Sequence, residues 1–188
     1  MKRPGGLPDQ GRRRLNGWFW RLPVVAALAA LGVGGYEAYR VHFAKIAPDP
    51  TPEFAPKEPE VAASLSALAD VWAAQAFTFG GTPAVVLHLP APIPGGLSAA
   101  GQHYAAFSRI CTHRGCIVAY NTDADAIDLA FNYRPPSPAL VCHCHLSVFL
   151  PAEAGEVVSG PARMPLPRIA LDLHGDTLYA VGIEVENG

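Results

Sequence analysis

The sequence predicts an all-β head of small antiparallel sheets, a sandwich or barrel, behind one N-terminal transmembrane helix. The head is predicted because its strand-like apolar segments are short and because 19 prolines and 18 glycines punctuate the chain. The helix is predicted because residues 15–36 contain a single charge, at Arg21, and about 20 apolar residues span a bilayer. At 188 residues, 50% of them hydrophobic, the chain is long enough for one such domain and an anchor.

The charges divide the chain into two parts. Residues 1–45 carry eight Lys and Arg against two acidic residues, a net charge of +6, and residues 46–188 carry six against fourteen, a net charge of −8. An acidic head has no basic stripe to neutralise phosphates, which argues against nucleic acid as a partner. Basic residues are concentrated before the apolar run, so the positive-inside rule places the N terminus in the cytoplasm and the head outside.

We therefore expect a basic cytoplasmic segment at 1–14 and an uncleaved transmembrane anchor at 15–41. A cleaved signal peptide is the alternative, because Ala27-Leu28-Ala29 has a suitable small-residue pattern. Cleavage there would leave an apolar core of only about eight residues, near the lower limit for such peptides. Arg12-Arg13-Arg14-Leu15 also fits the centre of a twin-arginine export signal.

A proline-rich stretch follows the predicted anchor. Its prolines fix φ and lack a donor, which excludes regular helix or sheet and favours extended polyproline II structure. Thirteen residues, 47–59, would reach about 40 Å in that conformation. We expect residues 42–61 to be a flexible linker, either a passive spacer or a hinge, and residues 62–188 to be the folded head. The prolines are at positions 48, 50, 52, 56 and 59.

Seven strands and one helix are predicted in the head. The turn-like residues 80–83 and 174–176 each join two strands into a hairpin. Residues 62–76 have a weak helical pattern. The predicted strands are residues 76–79, 84–89, 104–108, 139–141, 147–150, 169–173 and 177–181.

All four cysteines lie in two short motifs, each with a histidine at ligand spacing. The first motif is CTHRGC at 111–116, and the second is CHCH at 142–145. A structural zinc site would need an unusual C-x-H spacing, and two ordinary disulfides would leave the histidines without a role. A [2Fe–2S] cluster with two thiolates on one iron and two imidazoles on the other uses one Cys and one His from each motif.

The two motifs resemble the cluster-binding loops of the Rieske iron–sulfur protein of cytochrome bc-type complexes, whose patterns are C-T-H-x-G-C and C-x-C-H-x-S. The resemblance covers about residues 65–185 and implies a cluster-binding subdomain with loops at 111–116 and 142–147 and a covering proline loop at 160–162. The residues that it implies are the cluster ligands Cys111, His113, Cys142 and His145, the sulfur hydrogen-bond donor Ser147, and the disulfide partners Cys116 and Cys144.

Imidazole ligands account for the chemistry that this resemblance implies. Neutral imidazoles in place of two thiolates make the cluster less negative, so it accepts an electron more readily. Reduction potentials are about −400 mV for plant-type clusters with four thiolates and roughly −150 to +300 mV for clusters with two imidazoles. An exposed imidazole can also exchange a proton near neutral pH. We therefore expect His113 and His145 to be the catalytic residues, accepting a quinol hydroxyl proton in step with electron transfer.

Four residues depart from the respiratory members of that family. Phe149 stands where members of high potential have a tyrosine that donates to a cysteine ligand, which predicts a lower potential. Arg114 replaces a leucine of an apolar docking tip, His143 replaces a proline, and Leu146 replaces a glycine. The 25 residues between the two motifs are longer than expected for the mitochondrial type, and we interpret them as a surface insertion.

The resemblance implies the Rieske subunit of a bacterial quinol:cytochrome c oxidoreductase, active only with partner subunits. The expected partners are a cytochrome b subunit, cytochrome c or an equivalent acceptor, ubiquinol or menaquinol, and the lipid bilayer. The expected location is the bacterial inner membrane, with the head on the periplasmic side.

Two other assignments are considered. The small Rieske subunit of an arsenite oxidase-like molybdenum enzyme is favoured by Phe149 and Arg114, whereas the anchor and long linker favour the quinol-oxidising complex. Soluble Rieske ferredoxins and oxygenase domains lack the two additional cysteines, so Cys116 and Cys144 argue against that class.

Overall fold

The computed structural model describes residues 21–185, apart from the side chains of residues 40–42. The segment 1–14, with its twin-arginine pattern, lies outside the described residues, as do the first residues of the predicted anchor. The chain divides between Arg40 and Val41 into two compact units.

Helix α1 is the apolar segment that the sequence predicts to span a membrane. It runs Arg21–His42, and its residues Arg21–Tyr39 have a mean hydropathy of 1.3 and are exposed. Its 22 residues have a length of roughly 33 Å at 1.5 Å per residue. By length and composition, this helix can cross a hydrocarbon layer of about 30 Å.

In the described part of the chain, eleven strands and one further helix form the head. In chain order they are β1 (Phe54–Ser64), β2 (Ala74–Phe79), β3 (Thr82–Leu89), β4 (Leu97–Ala99), β5 (Gln102–Ser108), β6 (Ala119–Asn121), α2 (Ala124–Phe131), β7 (Ala139–Cys142), β8 (Ser147–Leu150), β9 (Glu156–Ser159), β10 (Arg168–His174) and β11 (Thr177–Glu184).

The strands form two antiparallel sheets. The larger sheet has the order β1-β11-β10-β5-β3-β2, with β4 paired to β5, and the smaller sheet has the order β6-β7-β8-β9. Because β5 and β10 pair directly, the smaller sheet is inserted between two neighbouring strands of the larger one. The predicted all-β antiparallel head is confirmed.

Strand β3 lies inside the larger sheet and is buried on both faces, as the period of two in a strand requires. Val85, Leu87 and Leu89 pack on the core that also holds the two free cysteines. Ala84 and Val86 pack on the opposite core with side chains from β1, β2 and β11. The two cores therefore share one strand, which contains no Asp, Glu, Lys or Arg.

Both predicted hairpins are present. Gly80 and Gly81 join β2 to β3 with φ values of +54° and +78°, as a two-residue hairpin turn requires. Strands β10 and β11 pair from Ile169 with Ile183 to His174 with Thr177.

The exclusion of sheet from the proline-rich stretch is wrong from Phe54 onward. Pro56 and Pro59 lie in β1, which occupies an edge of the larger sheet and pairs with β11. The pairing register shifts between Pro56 and Glu60. Proline is tolerated because an edge strand needs hydrogen bonds on only one side, and Pro59 falls within the irregularity.

The predicted helix at 62–76 is also wrong. Strand β1 continues to Ser64, a 3-10 turn follows at Leu65–Leu68, and β2 begins at Ala74. The Ser64 hydroxyl accepts a hydrogen bond from the Ala67 backbone N–H and caps this turn. Burial of apolar side chains against the larger sheet outweighs the weak helix propensity of this alanine-rich segment.

The segment interpreted as a surface insertion is a structured part of the smaller sheet. It contains β6 and α2, and the Asp123 side chain caps α2 by accepting hydrogen bonds from the N–H groups of Asp125 and Ala126. Ile127 and Phe131 of α2 are buried against β7 and β8. The sequence predicted neither element, and it also missed the short strands β4 and β9.

Arg168 is the largest fully buried side chain of the described residues, and we predict that it is essential for stability. Its Nη2 lies 2.5 Å from Glu184 Oε1, its Nε donates to Glu184 Oε2 over 2.9 Å, and its Nη1 donates to the Pro94 carbonyl.

Arg168→Ala would leave the nearly buried carboxylate of Glu184 uncompensated. We therefore expect the free energy of unfolding, measured in urea on the detergent-solubilised chain, to fall by about 3–5 kcal/mol. The control is Arg134→Ala, which breaks an exposed pair with Asp125 and should leave the unfolding midpoint unchanged. Equal losses in the two variants would contradict this account.

Candidate metal centre

The first cluster loop, residues 111–116, folds back on itself between β5 and β6. Cys111 N–H donates to the Cys116 carbonyl, and Gly115 N–H donates to the Cys111 carbonyl, both over 2.8 Å. These bonds close the loop at its base and place Cys111 inside, where it is 3% exposed. His113 and Arg114 lie at the turn, and Arg114 is exposed.

The second cluster loop, residues 142–147, is the turn of the β7–β8 hairpin. Cys142 pairs with Ser147 across the hairpin, and Leu146 N–H donates to the Cys142 carbonyl over 2.9 Å. Leu146 has a φ of +61°, a left-handed conformation that glycine adopts without strain. Cys142 is buried at the base of the loop, and His145 is exposed.

The two loops place the four predicted ligands side by side. Cys111 and Cys142 are free thiols, both buried and in contact with each other. The rings of His113 and His145 have their centroids 4.8 Å apart and lie nearly perpendicular, at 88°. The site therefore has a pair of thiols inside and a pair of imidazoles toward the surface.

A disulfide between Cys116 and Cys144 joins the two loops, as predicted. Their Cα atoms are 6.6 Å apart, and 28 positions separate them in the sequence. Cys142 Sγ lies within 4.8 Å of both disulfide sulfurs. Because the disulfide sulfurs are bonded to each other, Cys111 and Cys142 are the thiols that remain available as metal ligands.

The local environment shifts the pKa of two of the predicted ligands, Cys111 and His113. Burial raises the pKa of the Cys111 thiol, as does the neighbouring Cys142, whereas the N–H groups of His113 and Arg114 point at the sulfur and lower this pKa. Burial also lowers the pKa of His113, and the charges of His145, Arg114 and Lys45 lower it further. Both effects favour the neutral imidazole, which is the form that coordinates metals.

One polar atom of the site has no partner within the described residues. His113 Nδ1 is buried and makes no hydrogen bond to any of them. A buried imidazole nitrogen without a partner is costly unless it binds something that the polypeptide does not supply. Together with two buried thiols and a second imidazole, this donor set fits a [2Fe–2S] cluster with mixed Cys and His ligands.

Ser147 is the last residue of the second cluster loop. It is fully buried, and its Oγ accepts a hydrogen bond from Ala162 N–H over 3.1 Å. That bond uses an oxygen lone pair, so the hydroxyl hydrogen can still be donated. Phe149 is also buried and packs in the same core as Cys111 and Cys142. It contributes apolar contact and no donor.

The proline loop, residues 160–162, is packed against the second cluster loop. Gly160 has a φ of +81°, and a Cβ at this position would lie 2.4 Å from the Leu146 carbonyl oxygen and 2.5 Å from Ser147 Cα. Only glycine permits this backbone contact. The next residues contact the first loop, because the Thr112 hydroxyl donates to the Met164 carbonyl over 2.7 Å.

Sequence analysis missed one residue that the fold brings to the site. The Lys45 ammonium donates to the carbonyl oxygens of Gly160, at short range, and Ala162, at 2.7 Å. More than a hundred positions separate these residues, and Lys45 belongs to no motif. Its position in a segment predicted to be linker gave no signal of a contact with the site.

The insertion contributes to the site through its helix. Phe131 of α2 lies against His143 of the second loop, with ring centroids 5.1 Å apart. An aromatic contact of this kind stabilises the conformation of the loop.

The chain is similar in sequence to Rieske subunits of anion reductases. It is 36% identical over 80 residues to iodate reductase subunit IdrB of Denitromonas iodatirespirans, covering 42% of this chain and 37% of that protein. It is 32% identical over 73 residues to a candidate Rieske subunit of a respiratory nitrate reductase from Haloferax mediterranei, covering 39% of this chain and 27% of that protein. The chain thus spans less than half the length of the curated relatives it matches.

The head also has the fold of a solved Rieske protein. The soluble domain of Rieske protein II (soxF) from Sulfolobus acidocaldarius matches it with a TM-score of 0.53 and 24% identity, over 67% of this chain and 78% of that one.

The family model of the Rieske [2Fe–2S] domain matches residues 64–170, which are more than half of the chain and include both cluster loops and the proline loop. The chain therefore belongs to the Rieske [2Fe–2S] family and is an electron-transfer protein whose cofactor is a [2Fe–2S] cluster.

Proposed function

We propose that this Rieske protein is the membrane-anchored subunit of a quinol:cytochrome c oxidoreductase. In this role it takes electrons from quinol at a cytochrome b subunit and passes them to cytochrome c or an equivalent acceptor. The observation that carries the proposal is an exposed His145 beside His113 in a chain with a helix long enough to span a membrane. A membrane-soluble donor of hydrogen needs both a proton acceptor at the redox centre and a centre held near the bilayer.

Each side chain of the site has a proposed role. Cys111 and Cys142 would hold one iron of the cluster on the side of the apolar core, and His113 and His145 would hold the other iron nearer the surface. When bound, the cluster supplies a one-electron acceptor of higher potential than an all-thiolate cluster. The exposed His145 imidazole accepts the quinol hydroxyl proton, because imidazole exchanges protons near neutral pH. Ser147 donates its free hydroxyl hydrogen toward the sulfur side of the site.

The proposed location is the outer face of a bacterial inner membrane. The basic segment before the apolar helix supports a cytoplasmic N terminus. The Cys116–Cys144 disulfide supports an oxidising compartment for the head. A cluster assembled in the reducing cytoplasm together with a disulfide formed outside favours export of the folded head by the twin-arginine route.

A second candidate function is the small Rieske subunit of an arsenite oxidase-like molybdenum enzyme. Its support comes from the relatives, which are named as subunits of iodate reductase and respiratory nitrate reductase. Phe149 and Arg114 favour it too, because some members of that class resemble this chain in having Phe at the position of Phe149, and Arg114 replaces the leucine of the respiratory members. In this role the head would exchange electrons with a larger catalytic subunit, and quinol would not be its direct donor.

Co-purification separates the two functions. We expect the chain, extracted with a C-terminal tag from its native membrane in mild detergent, to carry b-type haem that is visible by absorbance. We also expect added quinol to reduce the preparation, because the donor site lies on the cytochrome b partner. Metal analysis that finds molybdenum, and absorbance that finds no b haem, would instead establish the second function.

Phe149→Tyr is predicted to raise the midpoint potential. The new hydroxyl would lie in the core beside Cys111 and Cys142 and donate to a sulfur, which stabilises the more negative reduced state. A hydrogen bond of about 1 kcal/mol corresponds to roughly 40 mV for a one-electron couple, since 59 mV is a tenfold change. The measurement is a redox titration followed by EPR. Phe79→Tyr is the control, because it adds the same oxygen to the core that contains neither cysteine. A shift that is equal in both variants would show that the alignment of Phe149 is wrong.

Replacing Arg12 and Arg13 with Lys is predicted to retain most of the head in the cytoplasm. The twin-arginine pair is the part of the signal that this route reads, whereas Lys keeps the positive charge that orients an ordinary anchor. Protease treatment of spheroplasts that express a C-terminally tagged chain measures the exposed fraction. Arg3→Lys is the control and should leave delivery unchanged. Normal exposure of the doubly substituted head would refute this export route.

A further inference from the structure

The cationic side chains of the head are used in two different ways. Arg168 and Arg134 are each paired with a carboxylate, on Glu184 and Asp125 respectively. Three other cationic residues, Lys45, Arg114 and Arg163, belong to the cluster loops and to the segments that contact them. The hydrogen bonds that Lys45 and Arg163 donate go to neutral carbonyl oxygens, not to carboxylates.

Lys45 is held at the cluster end by a set of four hydrogen bonds between residues 44–46 and the loop at 160–163. Its ammonium donates to the Gly160 and Ala162 carbonyls. Ile46 N–H donates to the Arg163 carbonyl over 2.8 Å, and Arg163 Nε donates to the Ala44 carbonyl over 3.2 Å. A segment that the sequence predicts to be free linker therefore delivers a charge to the redox site.

The three cations lie on the first cluster loop and on the two segments that meet at the proline loop. Arg114 is exposed at the turn of the first cluster loop, next to His113, and Arg163 is exposed directly after the proline loop. Burial lowers the pKa of the Lys45 ammonium, and the nearby charge of Arg163 lowers it further. Positive charge is thus concentrated at this end of a head whose residues 46–188 have a net charge of −8.

We propose that Lys45, Arg114 and Arg163 form an electropositive docking surface around the cluster end, and that it binds a protein partner with carboxylates around its own electron-transfer site. Charges of this kind at the rim of an interface steer the encounter and exclude partners of the wrong sign. A lysine-rich partner surface would be repelled from this end. The inference deepens the proposed function, but it rests only on the electron-transfer role and holds for either complex.

Small redox reagents of opposite charge test the local field without a partner. The probes are hexacyanoferrate(III), an anion, and tris(phenanthroline)cobalt(III), a cation. Each takes one electron from the reduced cluster of the full chain in non-ionic detergent and becomes iron(II) or cobalt(II). Stopped-flow absorbance gives the two rate constants as a function of ionic strength.

We expect the anion to react faster as salt is lowered and the cation to react more slowly, because screening extends over only about 10 Å at 0.1 M salt. This is opposite to what the acidic net charge of the head predicts. We compare the ratio of the two rate constants, because a shift in the midpoint potential of the cluster changes both rate constants in the same direction.

The double variant Arg114→Gln/Arg163→Gln is expected to lower the anion-to-cation rate ratio several-fold at low salt and to flatten both salt dependences. Lys45→Gln should act in the same direction. Arg134→Gln is the matched control, because it removes one cation from the exposed pair on the insertion and should leave the ratio unchanged. If a double variant fails to load the cluster, the single variants and the salt dependence of the unmodified chain decide the question.

Two outcomes would overturn the proposal. The first is an unmodified chain that reacts faster with the cation as salt is lowered, which would show that the net acidic charge dominates at the cluster end. The second is a rate ratio that responds equally to Arg134→Gln and to the double variant, which would show that the three cations have no local effect. Neither outcome depends on quinol, cytochrome b or molybdenum, so the proposed function would be unaffected.

Discussion

The structure depends on one constraint, which is that two thiols must be buried side by side while two imidazoles face outward. Cys111 and Cys142 meet this constraint because each lies at the closed base of a loop and packs in the core beneath the larger sheet. The histidines lie at the turns of the same loops. Thiols in an apolar core and imidazoles near water give one redox centre an insulated side and a side open to partners and protons.

The surrounding structure maintains that arrangement by covalent and steric means. The Cys116–Cys144 disulfide joins the loops at one side, and the backbone of Gly160 lies against the second loop at another. Ser147 connects the second cluster loop to the proline loop, because its hydroxyl oxygen accepts a hydrogen bond from the Ala162 N–H. The inserted sheet therefore acts as a rigid frame for the centre, and the larger sheet supplies the core on which it rests.

The electrostatic character of the cluster end bears on the choice of partner. An apolar tip would suit docking into a groove that excludes water, whereas Arg114 and Lys45 make this tip charged. A charged tip favours recognition by complementary charge, with rates that depend on salt. This property fits transient contact with an acidic partner, whether that partner is a subunit of a quinol-oxidising complex or of an anion reductase.

The sequence by itself determined the chemistry and most of the strands. CTHRGC and CHCH placed the ligand types at fixed spacing, and glycine turns at 80–81 and 174–176 punctuated apolar strands, because these signals are local. Only the tertiary structure decided that the proline-rich stretch from Phe54 is an edge strand and that Lys45 reaches the centre. Both depend on contacts with residues more than a hundred positions away, and no local propensity encodes such contacts.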